Sequence, residues 1–335
     1  MDYRMHDEKV VTTFFLITYN QEKYIREAIK GAFSQTYSPL EIVISDDCST
    51  DGTFRIIEEM CEKYDGQHKI VVNQNRENLG LIGHINRITE LSSGELIIYA
   101  AGDDISLPHR TAKLVERYLA TDRKASLLHS SVYLIDIAGN RVGTRHPPVI
   151  SHGINGMSLE DMALSGALII GATSAFTRKI EETFGPITYS KCVEDLVMGF
   201  RSALTGSLEY IPEPLILYRH DSGITSRVDS RSQTYKEYIK SKIRGEEGYL
   251  AVLAQRIDDL KTIGEGDLIP LIKRKRTEVL LKRTLWTRKY SFIKLVSYSY
   301  KRCLFGVFVR LLLREKKKRI LFYVKKLMHT SRVNS

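Results

Sequence analysis

Three pairs of neighbouring carboxylates are the residues best placed to do chemistry in this chain: Asp46-Asp47, Asp103-Asp104 and Glu194-Asp195. Asp103 and Asp104 follow Gly102 at the end of a continuous apolar run, Leu96 to Ala101. A short run of this kind, bounded by Gly94 and Gly102, reads as a strand buried on both faces. Ligands of open α/β sheets bind beyond the carboxyl ends of the strands. Two acids there, after a flexible glycine, can hold a divalent cation together with phosphate oxygens. Folding alone offers a plainer account, a polar loop in which Ser106 caps a helix that has Pro108 near its first turn.

Asp46 and Asp47 end a second strand-like segment, Leu40 to Ser45, just before Cys48-Ser49-Thr50-Asp51-Gly52. Ser49, Thr50 or Asp51 suits a helix N-cap, and Asp51-Gly52 suits a turn. Neither role accounts for the two acids that precede the cap. A carboxylate there can accept from a base N–H or a ribose hydroxyl, with Tyr19, one strand over, able to stack on a flat base. Glu194 and Asp195 open a helical segment, Val193 to Arg201. They either complement the helix dipole or supply a general base in a cleft. His220 follows Tyr218-Arg219 at the end of an apolar run and is a candidate for metal or phosphate contact. Gly171 either lets a ligand approach the backbone closely or bends a strand.

The elements that must position these groups alternate along the chain. Val10 to Ile17 reads as a strand, about 21–34 as a helix and Leu40 to Ser45 as a strand. A helix over about 53–64, a strand over Lys69 to Asn73 and another helix then lead to the strand ending at Ala101. This alternation specifies α/β architecture with a doubly wound, mainly parallel sheet. After a helix over about 108–121 and a strand over Ser126 to Ile135, the region to Gly156 is loop-rich. No G-x-G-x-x-G follows a strand and no G-x-x-x-x-G-K-[ST] is present, so a nucleotide site would work through carboxylates and metal.

The chain has 335 residues, room for one large domain and an appendage. Its net charge of +10 is unevenly distributed. Residues 270–335 carry 20 Lys/Arg against 2 Asp/Glu, and the first 269 carry 30 against 38. A basic amphipathic helix is expected over 301–328, where apolar positions recur at helical spacing among Lys and Arg. Such a helix can lie on an anionic membrane surface, or its apolar stripe can pack on the rest of the chain or a second copy. Nucleic-acid binding through the tail lacks any zinc, helix-turn-helix or ribonucleoprotein signature. Four cysteines without a C-x-x-C pair fit a reducing, cytoplasmic setting, and Met1 to Lys9 lack a signal-peptide core. No apolar stretch approaches membrane-spanning length.

Taken in order, Thr18-Tyr19-Asn20, Asp46-Asp47-x-Ser-Thr-Asp51-Gly52, Asn78-x-Gly80 with Asn86-Arg87, Gly94-Glu95, Gly102-Asp103-Asp104, Glu194-Asp195 with Arg201, and Tyr218-Arg219-His220 resemble the inverting glycosyltransferases of family two. The resemblance covers about residues 10–227 and implies a GT-A fold. It implies a catalytic domain over 1–229, with a nucleotide-sugar half to about 107 and an acceptor half beyond, followed by a helical C-terminal region over 230–335. The implied reaction moves a sugar from a nucleotide-diphosphate sugar, UDP foremost, to a glycan or lipid-linked glycan hydroxyl. The type builds bacterial surface polysaccharides such as capsule or lipopolysaccharide, at the inner face of the membrane.

The resemblance carries residue roles as well. Thr18, Tyr19, Asn20, Asp46, Asp47, Asn78, Gly80, Asn86, Gly102, Asp103 and Asp104 would bind the donor. Asp103, supported by Asp104 and by His220, would hold Mg2+ or Mn2+. Asp195 would be the base, with Glu194 and Arg201 shaping the site. Ala101 stands where the first acid of the family's D-x-D would fall, and His220 follows Arg219 without the usual spacer. A non-catalytic nucleotide-sugar binder is the alternative that this departure leaves open.

Overall fold

The computed structural model describes residues 9–148, 156–166, 168–220, 234–287, 306, 308–310 and 312–314. In chain order these form β1 (Thr12–Thr18), α1 (Ile25–Phe33), β2 (Leu40–Asp46), α2 (Thr53–Glu62), β3 (Lys69–Gln74), α3 (Gly80–Leu91) and β4 (Leu96–Ala101). There follow β5 (Ile105–Ser106), α4 (Arg110–Ala120), β6 (Ala125–Ile135), β7 (Arg141–Arg145), α5 (Leu159–Leu164), a 3-10 turn (Gly171–Thr173) and β8 (Ala175–Thr177). The remainder is α6 (Lys179–Phe184), α7 (Glu194–Thr205), β9 (Ser207–Arg219), α8 (Tyr235–Thr262) and α9 (Ile269–Thr287).

The strands form one sheet in the order β3-β2-β1-β4-β8-β6-β9-β5, with β7 added beside β6. The first four are parallel, and β8 runs antiparallel to both β4 and β6. All seven residues of β1 and all seven of β2 are buried, as expected of central strands covered on both faces. Alternate side chains feed two cores. Phe15, Ile17, Val43, Ile97 and Tyr99 pack with Ile82, Ile85 and Ile88 of α3 and with α7. Phe14, Leu16, Ile42, Ile44 and Ile98 pack on the other face with α1, α2 and α4. Helix α1 reaches that core through Ile25, Ala28, Ile29 and Ala32, the spacing of one helical face.

Several expected details change. Ser106 lies in β5 and caps nothing; its Oγ accepts from Arg110 Nη1 at 2.8 Å. The loop-rich stretch before Gly156 contains β7, whose polar, exposed residues pair with the C-terminal half of β6 and carry no apolar alternation to reveal them. The helices after residue 230 are more than an appendage. Val252, Leu253, Ile257 and Leu260 of α8, with Ile272 and Val279 of α9, belong to the same core as Ile97 and Leu196. The described helices after residue 233 thus share one core with the central sheet and α7. Most of the basic 301–328 segment lies outside the described residues; residues 306, 308–310 and 312–314 are helical.

Candidate active site

The order β2-β1-β4 places a reversal of winding direction between β1 and β4, where open α/β sheets bind ligands. Thr18 pairs with Asp46, and Ile17 with Ala101, so the three strands end level with one another. Backbone bonds continue the alignment past the strands, from Asp47 N to Thr18 O and from Gly102 N to Ile17 O, both at 2.9 Å. The result is a pocket of about 620 Å³ at these carboxyl ends. Thr18, Tyr19, Asp47, Asn78, Gly80, Asp103, Asp104, Glu194 and Asp195 all line it. A larger cavity of about 990 Å³ opens at the other end of the sheet, beside Glu95, Lys124 and Ser207 where β4, β6 and β9 begin. Among its basic side chains, Arg178 and Lys179 donate to backbone carbonyls, Arg123 pairs with Glu95 and Lys124 with Asp122.

At the β1–β2 end, Tyr19 is 41% exposed at the pocket mouth. Asp47 is nearly buried, and its Oδ1 accepts from Asn75 Nδ2 at 2.8 Å and from Leu79 N at 2.9 Å. Its Oδ2 has no partner among the described residues. Gly80 opens α3 at φ +69°, a left-handed conformation favoured by glycine, and its N–H donates to Asn78 Oδ1. Gly102 does not itself line the pocket. A Cβ there would stand 2.8 Å from Thr18 Oγ1, so only glycine lets β4 turn this close to β1.

Beyond Gly102, Asp104 Oδ1 accepts from Arg219 N at 2.9 Å. Burial, then the neighbouring Asp103, push the Asp104 carboxyl well above the usual range. The Arg219 guanidinium is spent on Asp103 O, Asp136 O and Glu27, which ties the acidic turn to β9. Arg110 braces the same turn from below, donating to Tyr99 O at 2.7 Å and Ala172 O at 2.9 Å.

The far wall is the first turn of α7 and the 3-10 turn at Gly171. Glu194 and Asp195 are half-open to the pocket yet set deep in the protein. Burial raises both carboxyls, Glu194 to about 7 with repulsion from Asp195 added, and Asp195 to about 6. Asp195 Oδ1 is buried with no hydrogen-bond partner. Leu196 N, Arg256 and Arg145 restrain its rise by favouring the charged form. A Cβ at Gly171 would meet Glu194 Oε1 at 2.8 Å, so the glycine makes room for that carboxyl.

Four expected site residues serve the scaffold, and a fifth, His220, stands outside the pocket. Asp46 is fully buried, accepting from Ser49 N and Ser49 Oγ and from Gln74 Nε2, so its carboxylate knots its own loop. Asn20, at φ 52°, accepts from Thr50 N and faces that loop. Asn86 exchanges two bonds with the Ile187 backbone. Arg201 is 2% exposed and bound to Asp259 of α8. His220 sits in an exposed turn, its N–H on Ile135 O, and does not line the pocket. Conversely, His84, Tyr99, Arg145, Ile170 and Ala172 line the pocket without any motif to announce them. Among the described residues the Arg145 guanidinium makes no hydrogen bond or ion pair.

A carboxylate-lined pocket at the switch point of this sheet defines an enzyme of the GT-A architecture. The family model described as glycosyl transferase family 2 matches residues 13–184. The chain belongs to that family and is a glycosyltransferase. It is similar to a Bacillus subtilis (strain 168) protein named as a glycosyltransferase, EpsE, with 29% identity over 218 residues, 65% of this chain and 74% of the relative. The structure of S. aureus TarS 1-349 in complex with UDP-GlcNAc superposes with a TM-score of 0.54 at 16% identity, covering 92% of each chain. The mannosyltransferase PcManGT from Pyrobaculum calidifontis, in complex with GDP-Man and Mn2+, gives 0.51 at 16% identity, covering 96% of this chain and 88% of the other. At these identities the two structures establish the shared fold.

Proposed function

We propose that the chain moves a glycosyl group from a nucleoside-diphosphate sugar to a hydroxyl of a glycan or lipid-linked glycan, inverting the anomeric carbon. The observation that carries this reading is Asp195 Oδ1, buried and unpartnered on the wall of the pocket that Tyr19, Asp47 and Asp103 share. Burial raises the Asp195 carboxyl to about 6, where it can take a proton from a hydroxyl brought into the pocket that it lines. Asp195 takes that hydroxyl's proton as its oxygen bonds to the anomeric carbon and the bond from that carbon to the diphosphate breaks. Glu194, next to it, sets the pH at which the pair is ionised. At the opposite end Tyr19 stacks on the base and Asp47 Oδ2 accepts from it. The nucleotide-sugar complexes of the two fold neighbours support a donor of this class.

A divalent cation, Mg2+ or Mn2+, fits this site in one form. Among the described residues no three His, Cys, Asp or Glu side chains group to enclose a metal. Hard cations that bind substrate phosphates need only one or two carboxylates, with water and phosphate oxygens completing the shell. Asp103, supported by Asp104, is such a donor set. A cation bound there would neutralise charge developing on the leaving diphosphate. Arg145 adds a protein cation to a pocket otherwise lined by five carboxyl groups.

Beyond the pocket, the basic 301–328 segment is the part of the chain suited to an anionic membrane carrying the acceptor, or to a second copy. Among the described residues no helix is long and apolar enough to cross a membrane. Co-sedimentation with phosphatidylglycerol vesicles, compared with size in solution, separates the two.

The deciding experiment measures melting temperature with UDP, dTDP, GDP, CDP and ADP, with and without Mn2+, alongside nucleotide release from the matching donor sugars. The expected result is a metal-dependent rise for one base and a release that Asp195→Asn abolishes while the rise persists. Binding without transfer would favour a non-catalytic binder. No rise with any nucleotide overturns the proposal.

A further inference from the structure

Behind the pocket wall a chain of hydrogen bonds runs from Asp47 to His84. Asn75 Nδ2 donates to Asp47 Oδ1 at 2.8 Å, Asn73 Nδ2 donates to Asn75 Oδ1 at 3.1 Å and to Ser45 Oγ at 2.9 Å, and Ser45 Oγ meets His84 Nε2 at 2.7 Å. The polarity of every link follows from its first member. The Asp47 carboxylate can only accept, so Asn75 must turn its NH2 toward it and its carbonyl toward Asn73. Asn73 must then present its own NH2, which also fills an acceptor site on Ser45. The Ser45 proton has no acceptor among the described residues except His84 Nε2. Burial disfavours the charged form of the His84 ring. A neutral ring that accepts at Nε2 carries its proton on Nδ1, a tautomer assigned here from the network. Nδ1 has no partner among the described residues, and His84 lines the pocket with Asp47.

We propose that His84 Nδ1–H and Asp47 Oδ2 together read the edge of the donor's nucleobase. This rests on the nucleotide-sugar reading above and narrows it. A donor beside an acceptor matches a base that presents a carbonyl next to a ring N–H, as uracil and thymine do and as guanine does at O6 and N1. Cytosine and adenine present an amine next to a bare ring nitrogen, so donor would face donor and acceptor would face acceptor. A site built around such a pair rejects the mismatched base strongly, because both protein groups are then left buried and unpaired. Asn73, Asn75 and Ser45 are positioning residues that hold the tautomer and do not touch the base.

The test is titration calorimetry of the full chain with UDP, dTDP, GDP, CDP and ADP in Mn2+. One carbonyl-bearing diphosphate should bind at least about 100-fold more tightly than CDP and ADP, and which one it is separates pyrimidine from guanine recognition. His84→Ala should reduce that ratio to under about 10-fold, and His84→Asn, whose amide reaches near the Nδ1 position, should restore most of it. Ser45→Ala, remote from the base, should weaken the preference by freeing the tautomer. Equal weakening of all five nucleotides by His84→Ala, with the ratio kept, overturns the inference, as does wild-type binding of CDP or ADP as tight as the others. Those results leave the transferase reading intact; failure of every nucleotide to bind overturns both.

Discussion

Arg201 and Asp259 meet in the core as a two-point ion pair, Nε to Oδ2 at 3.0 Å and Nη2 to Oδ1 at 2.9 Å, that ties α7 to α8. Both side chains are 2% exposed. Gln255 Nε2 donates to Asp259 Oδ1, and Arg201 Nη1 donates to Gly185 O, so the pair is well satisfied. Glu194 and Asp195 open the same helix. The pair thus anchors the helix that carries the candidate base, from the side away from the pocket.

Removing one member leaves the other charged and buried. Arg201→Ala is expected to cost about 3–5 kcal/mol of stability, read as a lower urea midpoint. The double change Arg201→Leu with Asp259→Leu should recover most of that loss, because no lone charge remains. Nucleotide affinity of the folded fraction should stay within about twofold if Arg201 has no part in the site.

The Glu194–Asp195 pair sets a pH dependence. A general base must be ionised, so kcat/KM should rise with pH through the range near 6 to 7 where this coupled pair titrates and level off above it. Glu194→Gln removes a like charge beside Asp195 and should move the midpoint down. Stability has the opposite slope. Folded carboxyls with raised pKa keep protons that the unfolded chain has lost, so their contribution falls as pH rises from about 4 to 7 and is constant above. Glu194→Gln should therefore be more stable than wild type at pH 8, by thermal melting, and show the smaller decline.

Arg256, buried in α8, donates to Ala163 O, Ser165 O and Leu196 O at 2.9–3.0 Å. It holds α5 to the residue that follows Asp195, and its charge favours the ionised base. Arg256→Met should lower stability by about 2–4 kcal/mol through three unpaired carbonyls and should raise the pH midpoint of kcat/KM. A change in stability with an unmoved midpoint would mean that Arg256 only supports the fold.

At Gly171 an added Cβ would press on the end of the Glu194 side chain. Gly171→Ala is expected to keep its melting temperature within a few degrees, since that carboxyl can swing aside. Its pH profile should shift, because the Glu194–Asp195 spacing changes.

Chelation tests the acidic turn. EDTA should abolish the nucleotide-induced rise in melting temperature, and excess Mn2+ should restore it. In Asp103→Ala the rise should be lost with or without Mn2+, while Asp104→Ala should also destabilise the free protein, because Arg219 N then loses its buried acceptor.

The strand-like segments that end in Asp47 and Asp103 were legible in the sequence, because a strand buried on both faces needs mainly apolar residues and its end is where polar chemistry can begin. The pairing of Asp47, Asp103 and Asp195 as site candidates followed from that logic and from the family resemblance. Asp46, Asn86 and Arg201 were not separable from them. Adjacent residues on a turn, or on a helix, point in different directions, and only the fold decides that Asp46 takes Ser49 and Gln74 while Asp47 opens to the pocket. The polar strand β7 and its Arg145 carried no periodic signal. The reach of α8 into the core depended on contacts between Arg256 or Asp259 and residues some 60 to 90 positions earlier. Local pattern determined where the acids stand along the chain; long-range packing decided which of them face one another across the pocket, because side-chain direction is a property of the assembled backbone and not of the sequence spacing.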